Sequence, residues 1–403
     1  MSVLIICEKP SVAKTVALAL GAAEQKDGYL SGDGLLVSWC IGHLISMADA
    51  GSYDERYKKW RYEELPILPQ AWKYAPTPGK EKQLAVLKEL LHRSDVSEVV
   101  NGCDAGREGE LIFRFVYEQA GCTKPFSRLW ISSMEDSAIR EGFAGRRAGT
   151  EYDALYQSAL CRARADWLVG INATRLFSVL YHKTLNVGRV LSPTLNLLVE
   201  RDGKITMFHK EKYHIVHIGC GGVDAESERI SDAAAADALR TACEASQAVC
   251  VSLKKEKKTA LPPKLFDLTC LQREANRVYG FTAKQTLDYA QSLYEKRFLT
   301  YPRTDSNYLT EDMAQTATDL VAALLPVLPF MQGAELTPEI GRVINSAKVS
   351  DHHAIIPTAA FAGNGFDRLP ESEKKLMSLV CCKLLCAVAA PHVYEAVTAT
   401  FTC

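Results

Sequence analysis

The segment FLTYPRTDS, residues 298–306, sets a phenol beside a proline, a guanidinium and a carboxylate. A free phenol has a pKa of about 10 and attacks poorly unless a neighbouring group helps it. Arg303, two positions past Tyr301, could stabilise a phenolate or the charge that builds on a phosphoryl group in its transition state. A plain turn is the ordinary reading of Tyr-Pro, so the chemistry needs partners elsewhere in the chain. Glu8, Asp104, Glu108 and Glu110 supply candidates, since all fall near the ends of two apolar runs. Carboxylates grouped in this way can hold Mg²⁺, a hard ion that prefers oxygen and keeps several waters. Asp104 and Glu108 are separated by a turn that Gly102, Gly106 and Gly109 loosen, a spacing that can bring both to one ion. Acids at a helix start also complement the macrodipole. That account suffices for Glu108 and Glu110 but not for an acid closing each of two separate strands. Glu8, if kept protonated, could give a proton to a departing oxygen, and Lys9 beside it could stabilise phosphoryl charge. His352 and His353 are a loop pair whose usual role is structural.

These residues must be positioned by the surrounding elements. Residues 2–7, SVLIIC, form a β-branched run broken by EKPS, and VAKTVALAL continues with helical spacing. The order repeats at 98–119, as EVVNGC, DAGREGE and LIFRFVYEQA. Two strand–turn–helix units with acids at the strand ends imply an open, mostly parallel sheet, whose ligands bind outside the carboxyl ends. Residues 150–200 read as helical, and 210–253 alternate as strands. LPPKLFD, residues 261–267, is a break, after which helices return. One of them opens with a Thr282-x-x-Gln285 capping box. Its apolar stripe of Leu287, Ala290, Tyr294 and Phe298 delivers Tyr301 just past its end, where Pro302 restricts the backbone toward extended conformations. Further helices are expected at 311–327 and 370–390, and the final residues read as a strand.

At 403 residues, 47% hydrophobic and 24% charged, the chain fits a soluble protein of several domains. No apolar run reaches the roughly 20 residues that span a bilayer, and the N-terminus does not read as a signal peptide. Thirteen cysteines without a C-x2-C pair fit reduced thiols in the cytoplasm. Cys381, Cys382 and Cys386 lie on an apolar helical stretch, where core packing is the first reading and zinc the second. The net charge of −1 argues against a uniformly basic surface, but averages hide local fields. Arg140, Arg146, Arg147, Arg162, Arg164, Arg175, Lys183 and Arg189 face few acids, and a second basic excess runs from 254 to Arg303. Two such runs suggest a groove for a nucleic-acid backbone.

The chain resembles the type IA DNA topoisomerases, closest to the bacterial topoisomerase III branch. IICEKPSVAK and CDAGREGELIFR resemble the two signatures of a Toprim domain, and IGHL at 41–44 the step between them. RADWLVGINATR and NVGRVLSPTL resemble DNA-gate segments, FLTYPRTDS the nucleophile motif, and HHAIIPT its downstream histidine motif. The resemblance implies α/β plus mainly α architecture. It comprises a Toprim domain at 1–148, a helical gate domain at 149–208, an incomplete β arch at 209–265 and 391–403, and a helical tyrosine domain at 266–390. It implies that Tyr301 cleaves single-stranded or underwound DNA through a 5′-phosphotyrosine, and that religation follows strand passage. No ATP is needed, in keeping with the lack of a G-x-x-x-x-G-K-[ST] loop. Arg303 and Lys9 would stabilise the transition state, Glu8 would act as acid and then base, and His352 would support the site. Glu8, Asp104 and Glu108 would hold Mg²⁺. His43, Arg162, Asp166, Asn186, Gly188, Arg189 and Ser192 would contact DNA. A monomer in the cytoplasm, without membrane or nucleotide cofactor, is expected.

Two departures from the family pattern carry expectations of their own. Gly106 stands where many relatives have a middle acid, which leaves ligands for one Mg²⁺ rather than a tight pair. The chain also stops where the arch should resume, so an exposed sheet edge and DNA binding without complete strand passage are further expectations. A non-catalytic single-strand-binding remnant is the competing reading. Other Toprim enzymes, such as primases or nucleases, need no tyrosine motif.

Overall fold

The computed structural model describes residues 1–132, 134–328, 331, 336–349, 352–364 and 366–402. By its contacts the chain divides into two units, residues 1–191 with 263–389, and residues 192–262 with 390–403.

The first unit is built on a sheet whose middle strand is β1 (Ser2–Cys7), with Leu4, Ile5, Ile6 and Cys7 fully buried. After it come α1 (Pro10–Ala19) and the short strands β2 (Glu24–Lys26), β3 (Tyr29–Gly32) and β4 (Leu35–Trp39). A separate two-stranded pair, β5 (Ile45–Met47) and β6 (Tyr74–Pro76), precedes α2 (Glu81–His92). The second strand–turn–helix unit is β7 (Val96–Gly102) and α3 (Arg107–Gln119), followed by β8 (Phe126–Arg128), α4 (Asp136–Ala144) and β9 (Arg147–Ala148). The sheet order is β2-β3-β4-β1-β7-β8-β9. β4, β1, β7 and β8 run parallel, while the edges are antiparallel, so the expected mostly parallel sheet is present. Cys7 stands opposite both Trp39 and Gly102. That register makes Glu8 and the 103–104 turn leave the sheet side by side at its carboxyl edge.

Helix α5 (Asp153–Leu180) follows, and α6 (Leu191–Thr206) begins at the unit boundary. The second unit holds β10 (His217–Cys220) paired with β11 (Val223–Glu226), then α7 (Ala233–Ala245). It also holds β12 (Val249–Ala260), which pairs antiparallel with β13 (His392–Thr402). β12 runs further than the alternation suggested, straight through the lysine-rich 254–258 stretch, because those side chains remain exposed on a ribbon. Lys255 pairs there with Glu395 across the ribbon at 3.3 Å.

Back in the first unit are α8 (Leu268–Tyr279), α9 (Ala283–Glu295), α10 (Ala314–Leu324), α11 (Ala359–Asn364) and α12 (Glu371–Val388). Both halves of the Thr282–Gln285 capping box form at the start of α9. Ala290, Leu293 and Tyr294 bury the inner face of α9. The chain leaves that helix through Arg297 in the left-handed region (φ 67°). Three apolar clusters result, two about the sheet and one inside the α8–α12 region. Tyr294 and Tyr301 belong to a cluster of the sheet, with Val12, Ala13 and Val100, and so tie the helical region to it. Core packing holds for Cys381, which is buried, but not for Cys382 and Cys386, which are exposed on the outer face of α12.

Candidate active site

Tyr301 is reached by a segment without regular structure that is pinned on both sides. Leu299 bridges Pro357, the Thr300 N–H donates to Ile356 O at 3.0 Å, and Thr304 Oγ1 donates to His352 O at 2.8 Å. The Tyr301 N–H itself donates to Ser132 O at 3.2 Å. So held, the buried Tyr301 ring lies against His352 with centroids 4.3 Å apart. Its hydroxyl donates to Asp104 Oδ2 at 3.0 Å. Residues 197 positions apart in the chain therefore meet at the carboxyl edge of the sheet.

A cavity of about 500 Å³ opens there, lined by Glu8, Asp104, Glu108, Arg162, Tyr301, Arg303 and His352 among others. Burial, and then the negative charge of Asp104, push the Tyr301 hydroxyl well above the usual phenol range, against the pull of Arg303. Burial and Asp104 likewise raise the Glu8 carboxyl, opposed by Lys9 and Arg303. Glu108 is different. A hydrogen bond from His43 at 3.4 Å, with Arg162 at 3.9 Å, holds its carboxyl below the ordinary range. Three carboxylates thus share one cavity in distinct surroundings, Glu8 pushed up by burial, Asp104 bonded to the phenol, Glu108 held down by His43. Lys9 caps the start of α1 and is half-buried, near enough to Glu8 to lower its pKa.

Glu110 does not belong to this group. It is fully buried, with Arg128 at 2.7 Å, Arg114 at 3.3 Å and Asn101 Nδ2 donating to it at 2.8 Å. Arg128 in turn donates to the carbonyls of Asn101, Cys103 and Asp104 at 2.7–2.9 Å and so fixes the turn that carries Asp104. Sequence reasoning missed Arg128, whose only signal was an arginine closing a strand at the same edge as the acids. It also missed Ser132, which bonds His352 Nδ1 at 3.1 Å. With the His352 Nε2 proton given to Ala105 O, that histidine braces the ring of Tyr301 from behind the turn.

The other expected residues divide. His43, Glu108 and Arg162 form one polar chain, and Arg189 reaches Asp166 through two bonds at 2.7 and 3.2 Å. Asn186 lines a second cavity of about 720 Å³ with Asp49, Trp60 and Arg175. Gly188 follows Val187, whose N–H is anchored on Thr174. Ser192 opens the second unit. The basic run of 140–189 is largely spent internally. Arg140 donates to Ala19 O, Arg146 grips Glu98, Arg164 bonds Tyr74 and Arg175 donates to Tyr57 O.

Among the described residues no three His, Cys, Asp or Glu side chains stand together as a metal cluster, and no helix is long and apolar enough to cross a membrane. A Cβ at Gly106 would meet nothing within 4 Å, so packing does not exclude an acid at that position.

A family model described as DNA topoisomerase matches residues 150–403, and one described as Toprim domain matches residues 3–134. The chain belongs to the type IA DNA topoisomerase family. It is 40% identical over 405 residues to DNA topoisomerase 3 of Bacillus licheniformis, covering 97% of this chain and 55% of that protein. DNA topoisomerase 3 of Bacillus subtilis is 39% identical, with the same coverages. The family chain spans about half the length of the curated relatives it matches. Full-length topoisomerase I from Thermotoga maritima shares its fold, with a TM-score of 0.73 at 25% identity, over 99% of this chain and 63% of that one.

Proposed function

We propose that this chain cleaves and reseals single-stranded or underwound DNA by transesterification, as a topoisomerase of the topoisomerase III kind. The observation that carries the reading is the 3.0 Å bond from the Tyr301 hydroxyl to Asp104 in a cavity shared with Glu8 and Arg303. Tyr301 Oη attacks a backbone phosphorus and the bond to the 3′ oxygen breaks. The phenol proton passes to Asp104, and Glu8 gives its proton to the leaving 3′ oxygen. The raised pKa of Glu8 suits it to that task. Arg303 and Lys9 offset the charge on the phosphoryl oxygens, while His352 keeps the nucleophile in place. Resealing runs the steps backwards with Glu8 as base. One diester replaces another, so the exchange draws on no ATP.

Glu8, Asp104 and Glu108 offer hard oxygen donors to one cavity. They do not form a closed three-ligand cage, which suits an ion bound through one or two carboxylates and water. We assign Mg²⁺ to these acids, where it would neutralise phosphate charge, and a single ion in view of Gly106. His43, Arg162, Asp166, Asn186, Gly188, Arg189 and Ser192 are assigned to the DNA strand, mostly through its phosphates. In domain terms, 1–148 is the Toprim domain, 149–208 gate, 209–265 with 391–403 arch, and 266–390 the tyrosine domain. A monomer working in the cytoplasm completes the reading.

Incubation with end-labelled single-stranded DNA tests it. The wild-type chain should yield a denaturant-stable protein–DNA adduct, and Tyr301→Phe none. Adduct from Tyr301→Phe would refute the assignment. Retention of DNA without any adduct would favour a binding protein instead.

A further inference from the structure

The two exposed thiols of α12 stand apart from everything assigned above. Cys382 and Cys386 are one helical turn apart, and their sulfurs lie 4.0 Å from each other on the outer face. Cys381, one position before Cys382, is buried in the core and takes no part. A disulfide needs its sulfurs about 2 Å apart, a distance these two do not approach. Metal–sulfur bonds of about 2.3 Å to both atoms would enclose an angle of roughly 120° at the ion. That angle is the trigonal value, about ten degrees wider than the tetrahedral one, and thiophilic d¹⁰ ions accept both geometries.

We propose that Cys382 and Cys386 form a two-thiolate site for a thiophilic d¹⁰ cation, Cu⁺ or Zn²⁺. Soft thiolates select these ions over the hard Mg²⁺ assigned to the acidic cavity. Each S–H bond is replaced by a sulfur–metal bond, and two protons leave to solvent per ion. Burial and the neighbouring Cys386 hold the Cys382 thiol above its ordinary pKa, and a cation between the sulfurs relieves that mutual repulsion. The ammonium of Lys383, which would oppose a cation, sits 4.6 Å over the ring of Phe266. Among the described residues no third His, Cys, Asp or Glu completes the set, so water fills the remaining positions.

The test uses the whole reduced chain under anaerobic conditions. Cu⁺ is offered from its bicinchoninate complex in one arm, and Zn²⁺ from a chromophoric chelator in the other. One equivalent of at least one ion should transfer to the wild type and to Cys161→Ser/Cys250→Ser, which removes two other exposed thiols. The same equivalent should be lost in Cys382→Ser and in Cys386→Ser, with unchanged circular dichroism. The site is overturned if either single variant takes up both ions as the wild type does, or if the wild type takes up neither.

Discussion

At the scale of single residues the site rests on a division between acids that look alike in the chain. Glu108 and Glu110 are two positions apart, yet one lines the cavity and the other is sealed between two guanidiniums. Burial pushes the Glu110 carboxyl up, while Arg128 and Arg114 pull it back toward ionisation. Removing one partner of a buried ion pair leaves an uncompensated charge and costs about 3–5 kcal/mol. Glu110→Gln should therefore lower the urea-unfolding free energy by about 3 kcal/mol, whereas Glu108→Gln, half-exposed, should leave it nearly unchanged. Equal effects would show that Glu110 anchors nothing. The residue types and spacing made Tyr301, Glu8 and Asp104 legible, because a nucleophile and strand-end acids advertise chemistry. Glu110 was not separable from Glu108 by spacing, since that depends on Arg128, eighteen residues on and a strand away.

At the scale of elements the turn between β7 and α3 determines where Asp104 points. A Cβ at Gly109 would lie 2.0 Å from Asp104 O, so only glycine allows the helix to start this close to the turn. Gly109→Ala must displace that backbone, at about 1–3 kcal/mol for overpacking, and should abolish adduct formation. Gly106→Ala, in open space, should retain both stability and adduct. A second device ties β7 to its neighbours. Glu98 accepts two bonds from Arg146 and one from Ser127, and the Arg146 bonds above all hold its carboxyl below the ordinary range. A depressed carboxylate stabilises the fold above its unfolded pKa, and that contribution disappears as pH falls through the folded value. Thermal unfolding from pH 6 downward should show the wild type losing stability relative to Glu98→Gln as pH drops below about 4.5. Parallel curves would reject the tie. The β-branched apolar runs followed by a turn and a helix announced β1 and β7, and the capping box announced α9. The edge strand β2 and its neighbour β3 lie in a polar stretch with no such periodicity, so pairing alone reveals them.

At the scale of the whole molecule, a net charge of −1 offers DNA no long-range attraction. In the proposed reading, affinity comes from the few cations left unspent by the fold. The density of arginine along 140–189 suggested one wall of a groove for a nucleic-acid backbone, but a charge count cannot tell a guanidinium that binds a carbonyl from one that faces solvent. Arg140 and Arg175 are of the first kind, donating to Ala19 O and Tyr57 O. Arg162 is of the second, with 39% of its side chain exposed at the cavity wall and only a 3.9 Å contact to Glu108. Each phosphate neutralised on single-stranded DNA steepens the plot of log affinity against log salt by about 0.7. Arg162→Ala should thus weaken binding across all sequences and flatten that slope by about 0.7. Arg140→Ala should leave the slope as it is while lowering the unfolding temperature. Fluorescence anisotropy with an oligonucleotide at several salt concentrations measures both slopes. An unchanged slope for Arg162→Ala would mean that the strand does not run past the cavity where Tyr301 waits.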